Sequence, residues 1–278
     1  MSNHSYDLDS TAHSLAKTAP TKKSLGQHWL HDDFALQAMC DAVGVNANDT
    51  VLEIGPGLGT LTEKLVTQAK QVIAVEFDPS LARNLPKRVP AANLTVVQQD
   101  ILRFDLTTLP PNYKVAANIP YYLTSNLLRQ LCESPNHFSS AALLVQKEVA
   151  ERVCASPGDM SLLSVSVQFY CQTGLGPLVP AELFTPPPKV DSQILLLEYR
   201  EKPLFADVDV KLFFRIVKAG FAQRRKTLLN SLSAGMHLER GLTGDLLEQA
   251  SIKPTTRAQN LTLHDWHSLY SAYVTAKI

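Results

Sequence analysis

The chain has 278 residues, 26 Lys+Arg against 26 Asp+Glu, and 45% hydrophobic residues. That length and apolar content indicate one large folded domain or a large one with a small companion, and no apolar run is long enough to cross a membrane. The four cysteines (Cys40, Cys132, Cys154, Cys171) have no C-x-x-C spacing, and His28 and His31 lack companion ligands. Reduced thiols in a cytoplasmic protein are expected, with no metal site.

Residues 1–21 are polar with no hydrophobic centre and are expected to be a disordered leader, not a targeting segment. Lys22-Lys23-Ser24-Leu25-Gly26-Gln27-His28-Trp29-Leu30 follows. Two lysines, a glycine and an aromatic in a short loop suit a surface linker, and equally a clamp that closes over a ligand and touches phosphates. Asp32 or Asp33 then caps a helix carrying Phe34, Leu36, Met39 and Val43, which stops at Gly44.

Val51-Leu52-Glu53-Ile54-Gly55-Pro56-Gly57-Leu58-Gly59-Thr60 is the organising stretch. An apolar run breaks into a glycine turn and then into a helix, the first strand-turn-helix unit of a doubly wound α/β domain. Glycines let the backbone approach a ligand, and the free N–H groups at the helix start attract anionic groups. Thr60 stands where a nicotinamide-type G-x-G-x-x-G would put its last glycine, which leans toward a cofactor such as S-adenosylmethionine. A second strand, Val72–Glu76, ends in an acid at the place where such folds meet ribose hydroxyls, and Phe77-Asp78-Pro79 starts the next helix. A third, Leu94–Val97, leads to Asp100-Ile101, a carboxylate for an adenine amino group and an apolar cover for its ring.

The fourth strand, Tyr113–Ala117, ends in Asn118-Ile119-Pro120-Tyr121-Tyr122. An exocyclic base nitrogen is a poor nucleophile because its lone pair is delocalised into the ring. Two acceptors on its N–H groups, the Asn118 oxygen and a backbone carbonyl near Ile119, would favour a tetrahedral nitrogen. Tyr121 would stack on the base.

Asn118–Tyr121, the glycine turn and Ser24–Leu30 together resemble the ribosomal RNA adenine-N6,N6-dimethyltransferases. Gln146–Arg152, Phe184-Thr185-Pro186-Pro187-Pro188-Lys189-Val190-Asp191-Ser192 and Phe221–Leu232 extend the match. The last two blocks are similar to the bacterial small-subunit type, and the resemblance covers essentially everything after the leader. It implies a Rossmann-like methyltransferase fold with a mostly parallel seven-stranded sheet over residues 22–203, and a small all-helical RNA-binding domain over 204–278. S-adenosyl-L-methionine would be the cofactor. Gln27, His28, Leu30, Gly57 and Phe77 would border it, Gly55 would meet its methionine part, Glu76 its ribose, and Asp100 and Ile101 its adenine. Asn118 would stand beside the transferring methyl, Pro120 would belong to the same catalytic motif, and Tyr121 and Phe184 would be the two faces of a base sandwich, with plain core packing the rival reading of Phe184. Trp29 is a departure, since the family usually has Phe there. The implied activity is dimethylation of two adjacent adenosines near the 3′ end of small-subunit rRNA, by a monomer acting on an assembling subunit.

Beyond Pro203 the strand pattern gives way to helical signals. From Leu204 onward ten Lys/Arg face six acids, a net +4, leaving −4 for the rest. Lys211, Arg215 and Lys218 share a helical stripe, Gly220 is expected to break it, and Arg224-Arg225-Lys226 adds charge density. With Lys22 and Lys23, these last three are the expected phosphate contacts. Three rival readings carry less of the pattern: the large-subunit resistance methyltransferase, which shares the catalytic motifs but which Gln223-Arg224-Arg225-Lys226-Thr227 disfavours; a nucleotide-dependent oxidoreductase, which Thr60 and the lack of a proton donor disfavour; and a non-catalytic RNA-binding factor.

Overall fold

The computed structural model describes residues 27–276; the leader, Lys22 and Lys23 lie outside them. The described chain opens with a two-residue strand, β1 (Trp29–Leu30). Asp32 then caps α1 (Asp33–Val43) by accepting the Ala35 N–H at 2.8 Å, and Gly44 closes it in the left-handed conformation. Strands and helices alternate next: β2 (Thr50–Ile54), α2 (Thr60–Gln68), β3 (Gln71–Glu76), α3 (Pro79–Arg88), β4 (Leu94–Gln98), β5 (Lys114–Asn118), α4 (Thr124–Glu133) and β6 (Ser140–Gln146). Two short helices, α5 (Lys147–Val153) and α6 (Leu162–Gln168), precede β7 (Cys171–Val179), β8 (Phe184–Thr185) and β9 (Ser192–Tyr199).

The main sheet has seven strands in the order β4-β3-β2-β5-β6-β9-β7. Pairs from β4 through β6 are parallel, and β6 meets β9 antiparallel. These parallel strands are short apolar runs, as expected of strands covered on both faces by helices. The strand order reverses between β2 and β5, the place where open α/β sheets form a ligand crevice at their carboxyl ends. Register levels that edge: Ile54 lies beside both Val75 and Ala117. Gly55, Glu76 and Asn118 therefore leave the sheet together.

The chain divides into two units, one holding Gly174–Tyr199 and everything up to Ala150, the other Glu151–Thr173 and everything from Arg200. Met160, Val165 and Phe169 belong to the same apolar cluster as Phe213, Val217 and Trp266, so residues 151–173 are core to the helical unit. That unit contains α7 (Val210–Phe221), α8 (Leu228–Met236), α9 (Arg240–Gln249) and α10 (Leu263–Thr275). Gly220 does not break α7. It is buried inside the helix, and a Cβ there would stand 2.4 Å from the Trp266 ring, so close packing explains the glycine.

Candidate active site at the carboxyl rim of the sheet

A cavity of about 390 Å³ opens at the levelled strand ends, within the range of small-molecule sites. Gln27, His28, Leu30, Gly55, Gly57, Glu76, Phe77, Asp100, Ile101, Asn118, Pro120 and Tyr121 all line it. Residues expected from the sequence to serve one cofactor and one base thus converge on one space.

Each side chain is held by its local fold. Glu76 ends β3 almost fully buried, with Oε2 accepting the Gly57 N–H at 3.1 Å and Oε1 accepting the Asp78 N–H at 2.8 Å. Burial raises its carboxyl above the usual carboxylate range, and those N–H donors offset part of the rise. Asp100 caps the turn Ile101–Arg103 through Oδ1, which accepts the Leu102 N–H at 3.0 Å. Gly57 has φ +58°, and a Cβ there would stand 2.6 Å from Trp29 Cζ3. The indole of Trp29 therefore covers the turn where a side chain at 57 would project. Thr60 has a role no glycine could fill: its hydroxyl donates to the Leu30 carbonyl at 3.1 Å, tying the start of α2 to β1.

At the other side of the cavity, Asn118 Nδ2 donates to the His28 carbonyl at 3.2 Å. The Tyr121 hydroxyl and the buried Ser192 hydroxyl share a hydrogen bond at 2.9 Å. The rings of Tyr121 and His28 lie 6.0 Å apart between centroids at 21°.

The structure places Phe184 in the core. Its ring is 2% exposed, belongs to the core cluster of Leu30, Leu36, Val179 and Ile194, and does not line the cavity. In the antiparallel pairing of β1 with β8, Leu30 stands opposite Phe184, and directly opposed residues share a face, so the two pack in one cluster. The same pairing makes Trp29–Leu30 and Phe184–Thr185 strands, where the sequence suggests loops.

Glu53 is a site residue that the sequence pattern does not reveal. It lines the cavity from β2, is 1% exposed, and its Oε2 has no hydrogen-bond partner. Burial pushes its carboxyl up to about 8, opposed by the nearby Thr62 hydroxyl and reinforced by the Glu76 charge. A lone acid inside the apolar run Val51–Ile54 is the available signal. Arg224, Arg225 and Lys226 lie exposed between α7 and α8. Among the described residues, no group of three or more His, Cys, Asp or Glu could hold a metal ion, and no helix is long and apolar enough to cross a membrane.

A parallel sheet with a glycine turn after its first β-α strand and acids closing the next two turns defines the class of Rossmann-like S-adenosylmethionine-dependent methyltransferases. The profile of the ribosomal RNA adenine dimethylase family matches residues 19–274, and the chain belongs to that family. It is 40% identical over 260 residues to ribosomal RNA small subunit methyltransferase A of Dehalococcoides mccartyi, spanning 92% of this chain and 89% of that protein. The protein of the same description from Streptococcus thermophilus is 39% identical over 264 residues, 90% of this chain and 91% of its own. Among solved structures, a dimethyladenosine transferase from Plasmodium falciparum superposes with a TM-score of 0.76 at 28% identity, covering 90% of this chain and 98% of that one. The 23S rRNA methyltransferase ErmE gives 0.72 at 27% identity, covering 87% and 98%. The chain is an rRNA adenine dimethyltransferase that uses S-adenosylmethionine.

Proposed function

We propose that this enzyme dimethylates N6 of two adjacent adenosines near the 3′ end of small-subunit rRNA, as a cytoplasmic monomer acting on an assembling subunit. One arrangement carries the reading: Asn118, Glu76 and Asp100 face one cavity at the carboxyl rim of the sheet.

The residues fit the cofactor. The two Glu76 oxygens each use one lone pair on a backbone N–H, which leaves acceptor capacity for two ribose hydroxyls. Asp100 holds its turn through Oδ1, leaving Oδ2 for an adenine amino group. The Gly55–Gly57 turn, whose two glycines bear no side chain, admits the methionine part. Gln27, His28, Leu30, Phe77 and Ile101 complete the walls. Bound S-adenosylmethionine supplies a methyl carbon already activated by a sulfonium charge.

The chain therefore needs no nucleophile of its own, and its work is positioning. Because the amide nitrogen of Asn118 is engaged by the His28 carbonyl, its Oδ1 is the atom left to accept an N6–H from the target base. The second acceptor is a backbone carbonyl near Ile119. Two acceptors aim the nitrogen lone pair, and Tyr121, fixed by Ser192, supports the unstacked base. Holding two reacting centres in line can supply about 7–11 kcal/mol of a barrier. Arg224, Arg225 and Lys226, with Lys22 and Lys23, contact RNA phosphates.

The test is to incubate the protein with labelled S-adenosylmethionine and unmethylated small subunits, then digest and map the RNA. Label in dimethyladenosine at two neighbouring positions near the 3′ end is expected. Small subunits that take up no label, or label at positions other than two neighbouring adenosines near the 3′ end, would overturn the reading.

A further inference from the structure

The block Phe184–Ser192 ends at the rim of the sheet. Ser192 opens β9 opposite Gln146, the last residue of β6. Its side chain is fully buried, and a hydroxyl withdrawn from water needs a partner. That partner is the Tyr121 hydroxyl at 2.9 Å. The backbone beside Ser192 is held from two sides. Asp191 Oδ1 accepts the Ala181 N–H at 3.0 Å, and the Asp191 carbonyl accepts the Lys147 N–H at 3.0 Å. Tyr121 is held at its other end, where its carbonyl accepts the Thr124 hydroxyl at 3.1 Å. The ring is therefore fixed at both the backbone and the hydroxyl. Burial holds that phenol above its ordinary range, the Ser192 bond offsets part of the rise, and the Asp191 charge adds to it. The phenol thus keeps its proton at neutral pH and stays a hydrogen-bonding partner. Ser192 itself does not line the cavity.

We propose that Ser192 is a positioning residue for methyl transfer: its hydroxyl holds the Tyr121 ring in the orientation that stacks on the unstacked adenine, and it acts on the reaction only through that bond. This rests on the methyltransferase reading of the cavity and makes the anchor, beside the ring, part of what Tyr121 contributes. Stacking alone needs a planar face, which phenylalanine supplies as well as tyrosine. A side chain released at its far end regains rotamer freedom, so fewer bound complexes hold the base in line with the methyl group. Tyr121→Phe keeps the face and removes the anchor from one side. Ser192→Ala removes it from the other and leaves Tyr121 intact.

The experiment measures kcat and KM for unmethylated small subunits and, separately, the Kd for S-adenosylmethionine in wild type, Ser192→Ala, Tyr121→Phe and the double variant. Each single variant is expected to lower kcat about fivefold, the worth of one hydrogen bond. KM should stay within about twofold, because phosphate contacts elsewhere carry most of the affinity for RNA, and cofactor Kd should not move. The double variant is expected to be no slower than either single one, since both remove the same bond. A serine that only supported the fold would lower the melting temperature, and its loss of activity would add to that of Tyr121→Phe. Additive losses in the double variant would therefore overturn the assignment, as would wild-type kcat in Tyr121→Phe. A cofactor Kd that rises in step with the loss of kcat would also sink it. If Ser192→Ala does not fold, kcat in Tyr121→Phe decides alone. A wild-type protein that methylates no small subunit would instead strike the reading of the whole cavity.

Discussion

Asn118 and His28, ninety residues apart, are joined by a hydrogen bond from the Asn118 amide nitrogen to the His28 carbonyl. The bond settles which end of the amide is left for the cavity, since a flipped amide would set two oxygens against each other. Asn118→Ala should abolish methylation while leaving cofactor binding within about fivefold, because one neutral hydrogen bond is worth about 1 kcal/mol. Asn118→Asp is the sharper variant. It keeps an acceptor for N6–H, loses the donor to His28, and sets a carboxylate against a carbonyl. Single-turnover methyl transfer together with calorimetric cofactor binding measures both, and an active Asp variant would show that the orientation does not matter.

Gly57 and Trp29 occupy one another's space. A methyl group at 57 would need a position 2.6 Å from the indole, and its backbone would hold φ +58° against the preference of an L side chain. Gly57→Ala should therefore lower stability by about 1–3 kcal/mol and weaken cofactor binding, since either the ring or the turn must move. Pairing it with Trp29→Phe should recover part of the loss by shortening the ring. Chemical denaturation of the single and double variants tests this. Additive losses would show that the two residues do not share the space.

Glu53 gives the protein a stability that depends on pH in a stated direction. Its folded value near 8 lies above the ordinary 4.5, so the folded state holds a proton that the unfolded state has released. Stability is greatest below about 4.5 for this group, falls as pH rises through the window up to about 8, and then levels off. The ceiling is on the order of 4–5 kcal/mol, from about 1.4 kcal/mol per unit. Glu53→Gln cannot ionise and should flatten this fall, raising the melting temperature at pH 8 more than at pH 5. Parallel melting curves for the two proteins across that range would exclude a protonated Glu53.

Much of this site is legible in the sequence because buried parallel strands are apolar runs that stop abruptly. Glu76, Asp100 and Asn118 stand out as the polar residues where such runs end, and register alone brings them to one rim. Glu53 sits within a run, and only burial reveals that it is the odd group there. The strand Cys171–Val179 is hidden by Gly174, Gly176 and Pro177, residues that argue against a strand. Gly176 packs so tightly that a Cβ would stand 3.1 Å from Ile194 Cβ, which explains one of them. Phe184 escapes a local reading for a different reason. Its environment depends on pairing with Leu30, more than 150 residues away, and no local pattern encodes that partner.

The exposed loop Gln223–Lys226 offers a quantitative test of RNA binding. Each phosphate that a cation neutralises steepens the fall of log K with log salt by about 0.7 for single-stranded and about 0.9 for duplex nucleic acid. Replacing Arg224, Arg225 and Lys226 together by alanine should reduce the slope by about 2 and weaken binding similarly for cognate and unrelated RNA, because phosphate contacts carry no sequence information. The loop lies outside the buried cluster of the helical unit, so the melting temperature should not move. Arg215 serves as the contrast: its Nη2 donates to the Tyr273 hydroxyl at 3.1 Å and its guanidinium lies 6.0 Å from that ring. Arg215→Ala should therefore cost stability before it costs RNA affinity. Filter binding from about 50 to 200 mM salt, the range over which such ionic interactions change affinity steeply, separates the two. An unchanged slope in the triple variant would remove the loop from the RNA interface.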